Sequence, residues 1–332
     1  MFNLFMGFRS WRLLQGKSAY KDFVKNVQPI LDHIYKVLYY NDGDEELQAK
    51  CGDWFVDWLA AKYCRPWMST EKTPSFISSV GGIGKSALIL WLLTYIFGAL
   101  YFEEVTEEHQ LGQKFNARDR FLIFKFLDDL AVKNPVKLKA LTTRKTKRIE
   151  MKGVDVELIQ PPDFTDYLVC SNEFNPVELD KGPDRRNVQS ECYTGLSSHT
   201  PEGREYLAAL FELIDGVDDP TRVNWDAVED FAFFLKQRWE GKPNWDRVYT
   251  PQTTLMQKKQ REYEESQVLD TLRQFGEEAP RGFAGIPKAC LFAYHVMVHE
   301  VKADERRTPR HPEEIRRGSG QNPPKGWNHA ER

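Results

Sequence analysis

Ser79-Val80-Gly81-Gly82-Ile83-Gly84-Lys85-Ser86 puts three glycines, an ammonium and two hydroxyls into eight consecutive positions. Small residues let backbone N–H groups converge on an anion, and a helix starting at Lys85 would turn its positive end toward the same point. Lys85 then suits the β- and γ-phosphates of a nucleoside triphosphate, and the Ser86 hydroxyl suits Mg2+. The expected nucleotide cradle is Gly81, Gly82, Ile83, Gly84, Lys85, Ser86 and Ala87. The usual pattern opens on glycine, where this chain has Ser79. A chance Gly-Lys-Ser at a helix start is the structural alternative, and the flanking sequence decides against it. A second chemical feature is Asp128-Asp129 at the end of an apolar run. One carboxylate there can sit by the metal, with Ser86, and the other by an attacking water. Taken alone, the pair serves equally well as a helix N-cap with a solvated neighbour.

Elements must hold these residues in place. Ser75 to Val80 suits a short buried strand, and the apolar run from Ala87 to Phe102 suits a buried helix, falling short of the ~20 residues needed to cross a bilayer. Phe121 to Leu127 reads as a second strand ending on Asp128-Asp129. Tyr167 to Cys170 reads as a third, ending on Ser171-Asn172. Three buried strands with polar residues at their C-terminal ends predict a parallel sheet with its site along that edge. Before it, Ser18–Tyr40, with Pro29 as a possible kink, and Glu45–Tyr63 carry apolar residues at helical spacing. Between the last two strands, Lys147 to Leu158 alternates charged and apolar residues around Lys152-Gly153, as a β-hairpin does. Later helices are expected over Tyr206–Ile214, Trp225–Trp239, Gln257–Phe275 and Ile286–Val301. From Ala303 the chain has almost no core-forming residue and reads as a disordered tail. The division expected is thus a helical region at 1–72, an α/β core at 73–200, a second helical region at 201–302 and a tail at 303–332.

Bulk properties narrow the classes. With 46 basic and 49 acidic side chains the formal charge is −3, so any basic surface that meets nucleic acid must be local. The five cysteines are odd in number and form no Cys-x-x-Cys pair, which points to a reducing compartment without structural zinc. The N-terminal apolar run is too short for a signal peptide, so an intracellular protein is expected. His33 and His109 have no ligand partner at useful spacing, and Trp54, Trp58 and Trp91 fit helix core positions.

With those strand ends in order, the chain resembles the superfamily 3 helicases, in particular the helicase part of phage and large DNA virus primase-helicases. The resemblance runs from about residue 2 to 260. It is carried by Asn3-Leu4 to Gly7-Phe8, Asp57-Trp58-Leu59-Ala60, Lys114-Phe115-Asn116, Phe126-Leu127-Asp128-Asp129, Leu138 to Thr143, Arg148 to Gly153, Ser171-Asn172, Asp184-Arg185-Arg186 and Pro251-Gln252-Thr253. The family usually has Asp-Glu where this chain has Asp128-Asp129. The resemblance implies an AAA+ P-loop core with ATP and Mg2+ as cofactors, assembled as a hexameric ring that translocates on single-stranded DNA at a replication fork. A primase or replication-initiation protein is a further implied partner. The catalytic set it implies is Lys85, Asp128, Asp129 and Asn172, with Arg185 or Arg186 reaching in from the next subunit. Asn172 would orient water, and the hairpin would line the pore, with Lys147, Arg148 and Lys152 on DNA phosphates. A solvated basic face is the plainer account of that run. Two other functions share the same loop: a nucleotide-binding packaging or assembly ATPase, and a degenerate P-loop module with a structural role. Viral, phage or mobile-element replication, in host cytoplasm or nucleus, is the setting implied.

Overall fold

The computed structural model describes residues 6–112, 119, 121–129, 135–147, 161–174, 176, 184–217, 219–241 and 249–278. The chain divides into two compact units, Met1–Arg261 and Glu262–Arg332, and the sheet with its covering helices belongs to the first. The expected helix at 286–301, the tail from 303 and the hairpin residues 148–158 lie outside the described residues.

The centre is a five-stranded sheet with all neighbours parallel: β1 (Thr73–Ile77), β2 (Phe102–Val105), β3 (Phe124–Asp128), β4 (Asp166–Ser171) and β5 (Asn187–Glu191), in the order β2-β3-β4-β1-β5. Three strands are expected from sequence; β2 and β5 are additional. A parallel sheet needs cover on both faces, and helices supply it. Short α1 (Arg9–Leu13), α2 (Phe23–Asn26) and α3 (Gln28–His33) lead into a π-helical turn at Ile34–Leu38, so the single kinked helix expected over 18–40 is three pieces. Asp22 starts α2 by accepting Lys25 N–H at 3.0 Å, and Pro29 fits the first turn of α3, where no N–H is needed.

The longest helix before the sheet, α4 (Glu45–Cys64), is capped by Asp44, whose carboxylate accepts Leu47 N–H at 3.0 Å, with Glu45 and Glu46 in its first turn. It buries Trp54, Phe55, Trp58 and Leu59. Trp58 stacks on Phe55 and meets Phe124 of β3, which fixes the helix to the sheet. After the glycine loop, α5 (Lys85–Trp91) continues as a π-helical segment, Leu92–Gly98, and is buried along one side through Leu88, Ile89, Trp91 and Phe97. α6 (Pro135–Thr142) follows β3. α7 (Pro201–Leu213), α8 (Trp225–Gly241) and α9 (Thr254–Glu278) follow β5. One continuous hydrophobic cluster joins the N-terminal helices, the sheet, α7 and α8. Cys51, Cys64, Cys170 and Cys192 are free thiols. No helix among the described residues is long and apolar enough to cross a membrane.

Candidate functional site

Strand order brings the separate chemical features together. β4 lies between β1 and β3, so the loop after β1, the acidic pair after β3 and Asn172 after β4 emerge side by side. Lys85 Nζ donates to Asn172 Oδ1 at 2.7 Å, and Asn172 Nδ2 donates to Asp129 Oδ2 at 3.0 Å. The Asn172 backbone N–H reaches Asp129 Oδ1 at 2.9 Å. Ser86 Oγ donates to Asp128 Oδ1 at 2.7 Å. Five residues from three strand ends thus form a hydrogen-bonded trio, Lys85–Asn172–Asp129, and a pair, Ser86–Asp128, joined through the chain at Asp128-Asp129 and Lys85-Ser86.

Local backbone explains each placement. Gly82 (φ +71°) and Gly84 (φ +85°) occupy the left-handed region, where a side chain is strained. A Cβ on Gly82 would also strike Ser198 Oγ, and one on Gly84 would press Leu207 and the His33 ring at 3.0 and 3.2 Å. Ser79 is not among the residues with positive φ, so serine satisfies that backbone position without strain. Gly84 caps α5 without a side-chain hydrogen bond, leaving the first N–H groups of the helix without a side-chain cap. Asp129 has φ +49°, a conformation Asp tolerates better than most residues, and its N–H donates to Cys170 O at 2.8 Å. That turn swings its carboxylate toward Asn172. Asp128 is half-buried. Burial raises its carboxyl above the usual range, assisted by Asp129, while the Ser86 hydroxyl and Lys85 pull the other way.

Two contributors are not apparent from sequence. Ser198 N–H donates to Gly82 O at 2.8 Å, so the segment leaving β5 crosses the loop and holds it. His33, fully buried beneath Gly84, shares a 3.1 Å hydrogen bond between Nδ1 and Tyr206 OH. Burial pushes it down to about 3, so it stands there as neutral imidazole. Neither carries a motif: a lone serine and a lone histidine acquire their place only through the packing of α3 and α7.

Other expected residues lie elsewhere. Arg185 and Arg186 precede β5, at the N-terminal edge of the sheet, five strand residues from the edge that carries the cluster. Lys147 is buried rather than displayed. Its ammonium donates to Asp119 O at 2.5 Å and sits 3.5 Å from Asp163 Oδ1, and burial lowers it to about 8. Within the single chain its ammonium is engaged by protein groups and not displayed as a surface cation. Thr146 pairs antiparallel with Pro162; Arg148 and Lys152 lie outside the described residues. Ile83 is buried and Ala87 half-buried beside the loop.

A family described as of unknown function (DUF5906) matches residues 76–186. That span begins in β1 and ends at Arg186, so it encloses the whole cluster. No curated protein matches the sequence. Among solved structures, an A-form apo structure of the C-terminal region of NrS-1 is similar at TM-score 0.53 and 22% identity, over 80% of this chain and 55% of that one. A second A-form apo structure, of residues 305–718 of the same protein, is similar at TM-score 0.50 and 20% identity, over 75% of this chain and 58% of that one. The chain therefore spans a little over half the length of those structures, and the likeness is one of fold.

Proposed function

We propose that the protein is an ATP-driven motor of the superfamily 3 helicase type, built on an AAA+ P-loop core and acting on DNA in viral, phage or mobile-element genome replication. The observation that carries this reading is the cluster itself: ammonium, hydroxyl, two carboxylates and a carboxamide at three adjacent strand ends, beside a glycine loop that opens a helix. The donor set fits Mg2+ with a triphosphate. Ser86 Oγ and Asp128 Oδ1 are hard oxygen ligands already 2.7 Å apart, and Mg2+ commonly takes one or two protein oxygens, with phosphates and water completing its shell. Bound there, the ion would neutralise phosphate charge.

The chain's own residues have distinct parts. Lys85 exchanges its bond to Asn172 for phosphate oxygen. Asn172, relieved of Lys85, turns its amide to a water without taking its proton. Asp129, held by Asn172, accepts that proton. An arginine from a neighbouring copy, Arg185 or Arg186, meets charge on the transferred phosphoryl group. The likeness to NrS-1 supports the fold, and the sequence resemblance to helicases supports placing this site in a replication protein.

The test is hydrolysis of ATP by the full chain with and without single-stranded DNA, together with displacement of an annealed strand. DNA-stimulated turnover with displacement, both lost in Lys85→Ala, is the expected result. Turnover without displacement would favour a packaging or assembly ATPase, and no turnover would sink the enzymatic reading.

A further inference from the structure

β5 is an outermost strand of the sheet, and an open strand edge is a place where other chains can pair unless something lies over it. The segment from Tyr249 into α9 runs along it as a strap, tied by hydrogen bonds. Thr250 Oγ1 donates to Arg185 O at 3.0 Å, just before the strand, and Thr253 Oγ1 donates to Gln189 O in its middle. Lys259 Nζ then donates to Gln189 Oε1 at 2.7 Å and to Phe174 O at 2.5 Å. Phe174 belongs to the segment leaving β4, two residues after Asn172. Two aromatic rings are exposed along this strap. Phe174, 40% exposed, has the ammonium groups of Lys259 and Lys258 at 4.5 and 5.6 Å from its centroid. Tyr249, 38% exposed, has that of Lys50 from α4 at 5.6 Å. Arg261 follows Lys258 by about one helical turn. Lys50, Lys258 and Arg261 are all exposed, and none forms an ion pair with a carboxylate among the described residues.

The chain as a whole carries a formal charge of −3, so cations left without acids along one edge form a local field opposite to the net charge. A solvated basic face accounts for the cations but leaves the exposed rings, each set among ammonium groups, without a purpose. A single strand of nucleic acid uses both kinds of group: its unpaired bases stack on aromatic faces and its phosphates pair with cations. A duplex offers the phosphates alone, because its bases are already stacked. We propose that the strap along β5 is a contact site for single-stranded nucleic acid, with bases on Phe174 and Tyr249 and phosphates on Lys50, Lys258 and Arg261. Lys259 ties the strap to the segment that carries Asn172, which places the strand beside the nucleotide cluster. This site deepens the DNA-acting reading above and rests on it for the kind of partner, but not on ATP turnover. It is separate from the basic run at 147–152, which the helicase resemblance assigns to the same partner.

Fluorescence anisotropy of the full chain with a labelled oligothymidylate, in the absence of ATP, tests the site, and an oligouridylate arm tells DNA from RNA. Phe174→Leu keeps an apolar side chain but removes the stacking ring, and is expected to weaken binding about 5-fold or more, whereas Phe174→Trp keeps it. Tyr249→Leu acts in the same direction and reads the same surface should Phe174→Leu not fold. Lys258→Gln with Arg261→Gln is expected to flatten the slope of log affinity against log salt by about 1.4, or about 0.7 for each phosphate contact on a single strand. A blunt duplex of equal length binds less tightly, and Phe174→Leu leaves its affinity unchanged. The losses persist when Arg148→Gln and Lys152→Gln are also present, as expected of a separate site. Unchanged affinity in both ring variants together with an unchanged salt slope, in a chain that does bind the oligonucleotide, overturns the site and leaves the reading above standing. A duplex bound as tightly as the single strand, with the same loss in Phe174→Leu, overturns it as well. A chain that binds no oligonucleotide overturns the DNA-acting reading and this site with it.

Discussion

The two edges of the sheet use polar groups in opposite ways. At the C-terminal edge, Lys85, Asn172 and Asp129 satisfy one another through side-chain hydrogen bonds, and Asn172 and Asp129 are exposed. At the N-terminal edge, Lys62 and Asp166 are fully buried 3.0 Å apart. Lys62 also donates to Met68 O at 2.9 Å and to Phe164 O, while Asp166 accepts Thr70 N–H at 3.0 Å. Lys85 is buried, but its partners are exposed, and groups bonded mainly to each other beside an open loop can exchange partners when a ligand arrives. Groups bonded to backbone inside the core cannot. One sheet therefore carries an edge whose polar partners can be replaced and an edge whose partners are locked.

Removing one partner at the locked edge tests this contrast most severely. Lys62→Met leaves Asp166, whose carboxyl burial already raises, without its cation. It should lower unfolding free energy by about 3–5 kcal/mol, measured by urea or thermal denaturation. Adding Asp166→Asn should recover part of that loss, because the stranded charge is gone. The replaceable edge should respond in the opposite sense. Lys85→Met lowers ATP turnover by about 100- to 1000-fold, the scale for losing a donor to transition-state charge. Its stability should stay within about 1 kcal/mol, because methionine fills the buried stem of Lys85 and the exposed Asn172 keeps Asp129 and water as partners. Equal destabilisation by the two lysine substitutions would erase the distinction.

The replaceable edge is far easier to see in the sequence than the locked one. Gly82, Gly84, Lys85 and Ser86 are contiguous, and Asp128 and Asn172 end runs of apolar residues, so spacing alone points to their proximity. β5 escapes notice because Asn187-Val188-Gln189-Ser190-Glu191 has one apolar residue, yet its first four residues are buried. Asn187 is satisfied by Asp184, and Gln189 by Thr253 and Lys259, partners 3 to 70 positions away along the chain. β2 is hidden for a related reason. Phe102-Glu103-Glu104-Val105 is an edge strand whose Glu103 pairs with Lys125 of β3. Lys147 looks like one of a run of surface cations, and groups from other segments, Asp119, Leu122 and Asp163, make its burial possible. Polar residues buried by distant partners leave no periodic signal.

A locked carboxylate outside the sheet gives a smaller, pH-dependent test. Asp230 of α8 is fully buried, which alone would raise its pKa. The N–H of Asp22, the Asn26 amide, the N–H of Lys21 and the Lys17 ammonium outweigh burial and hold it down to about 2. Because the folded value lies below the unfolded one, its contribution is complete above about pH 4 and is lost as pH falls through about 2. That contribution is about 2 kcal/mol. Denaturation curves across that window should flatten in Asp230→Asn, with no matching change in the unmodified protein between pH 6 and 8 from this group.

Asp129 supplies the finest test, because here the replaceable edge departs from the Asp-Glu pair of the helicases that the sequence resembles. A glutamate at this position would reach one methylene farther. The carboxylate of Asp129 already meets both Asn172 nitrogens, at 2.9 and 3.0 Å, because its backbone turns through φ +49°. Reach has been supplied by the main chain instead of the side chain. Glutamate fits that left-handed conformation less well and would carry its oxygens past Asn172. Asp129→Glu should therefore lower DNA-stimulated ATP turnover by about 3- to 10-fold, with Mg2+ dependence unchanged because Asp128 and Ser86 are untouched. A rise in turnover would show that the edge is built for the longer acid and that the left-handed turn only compensates in part.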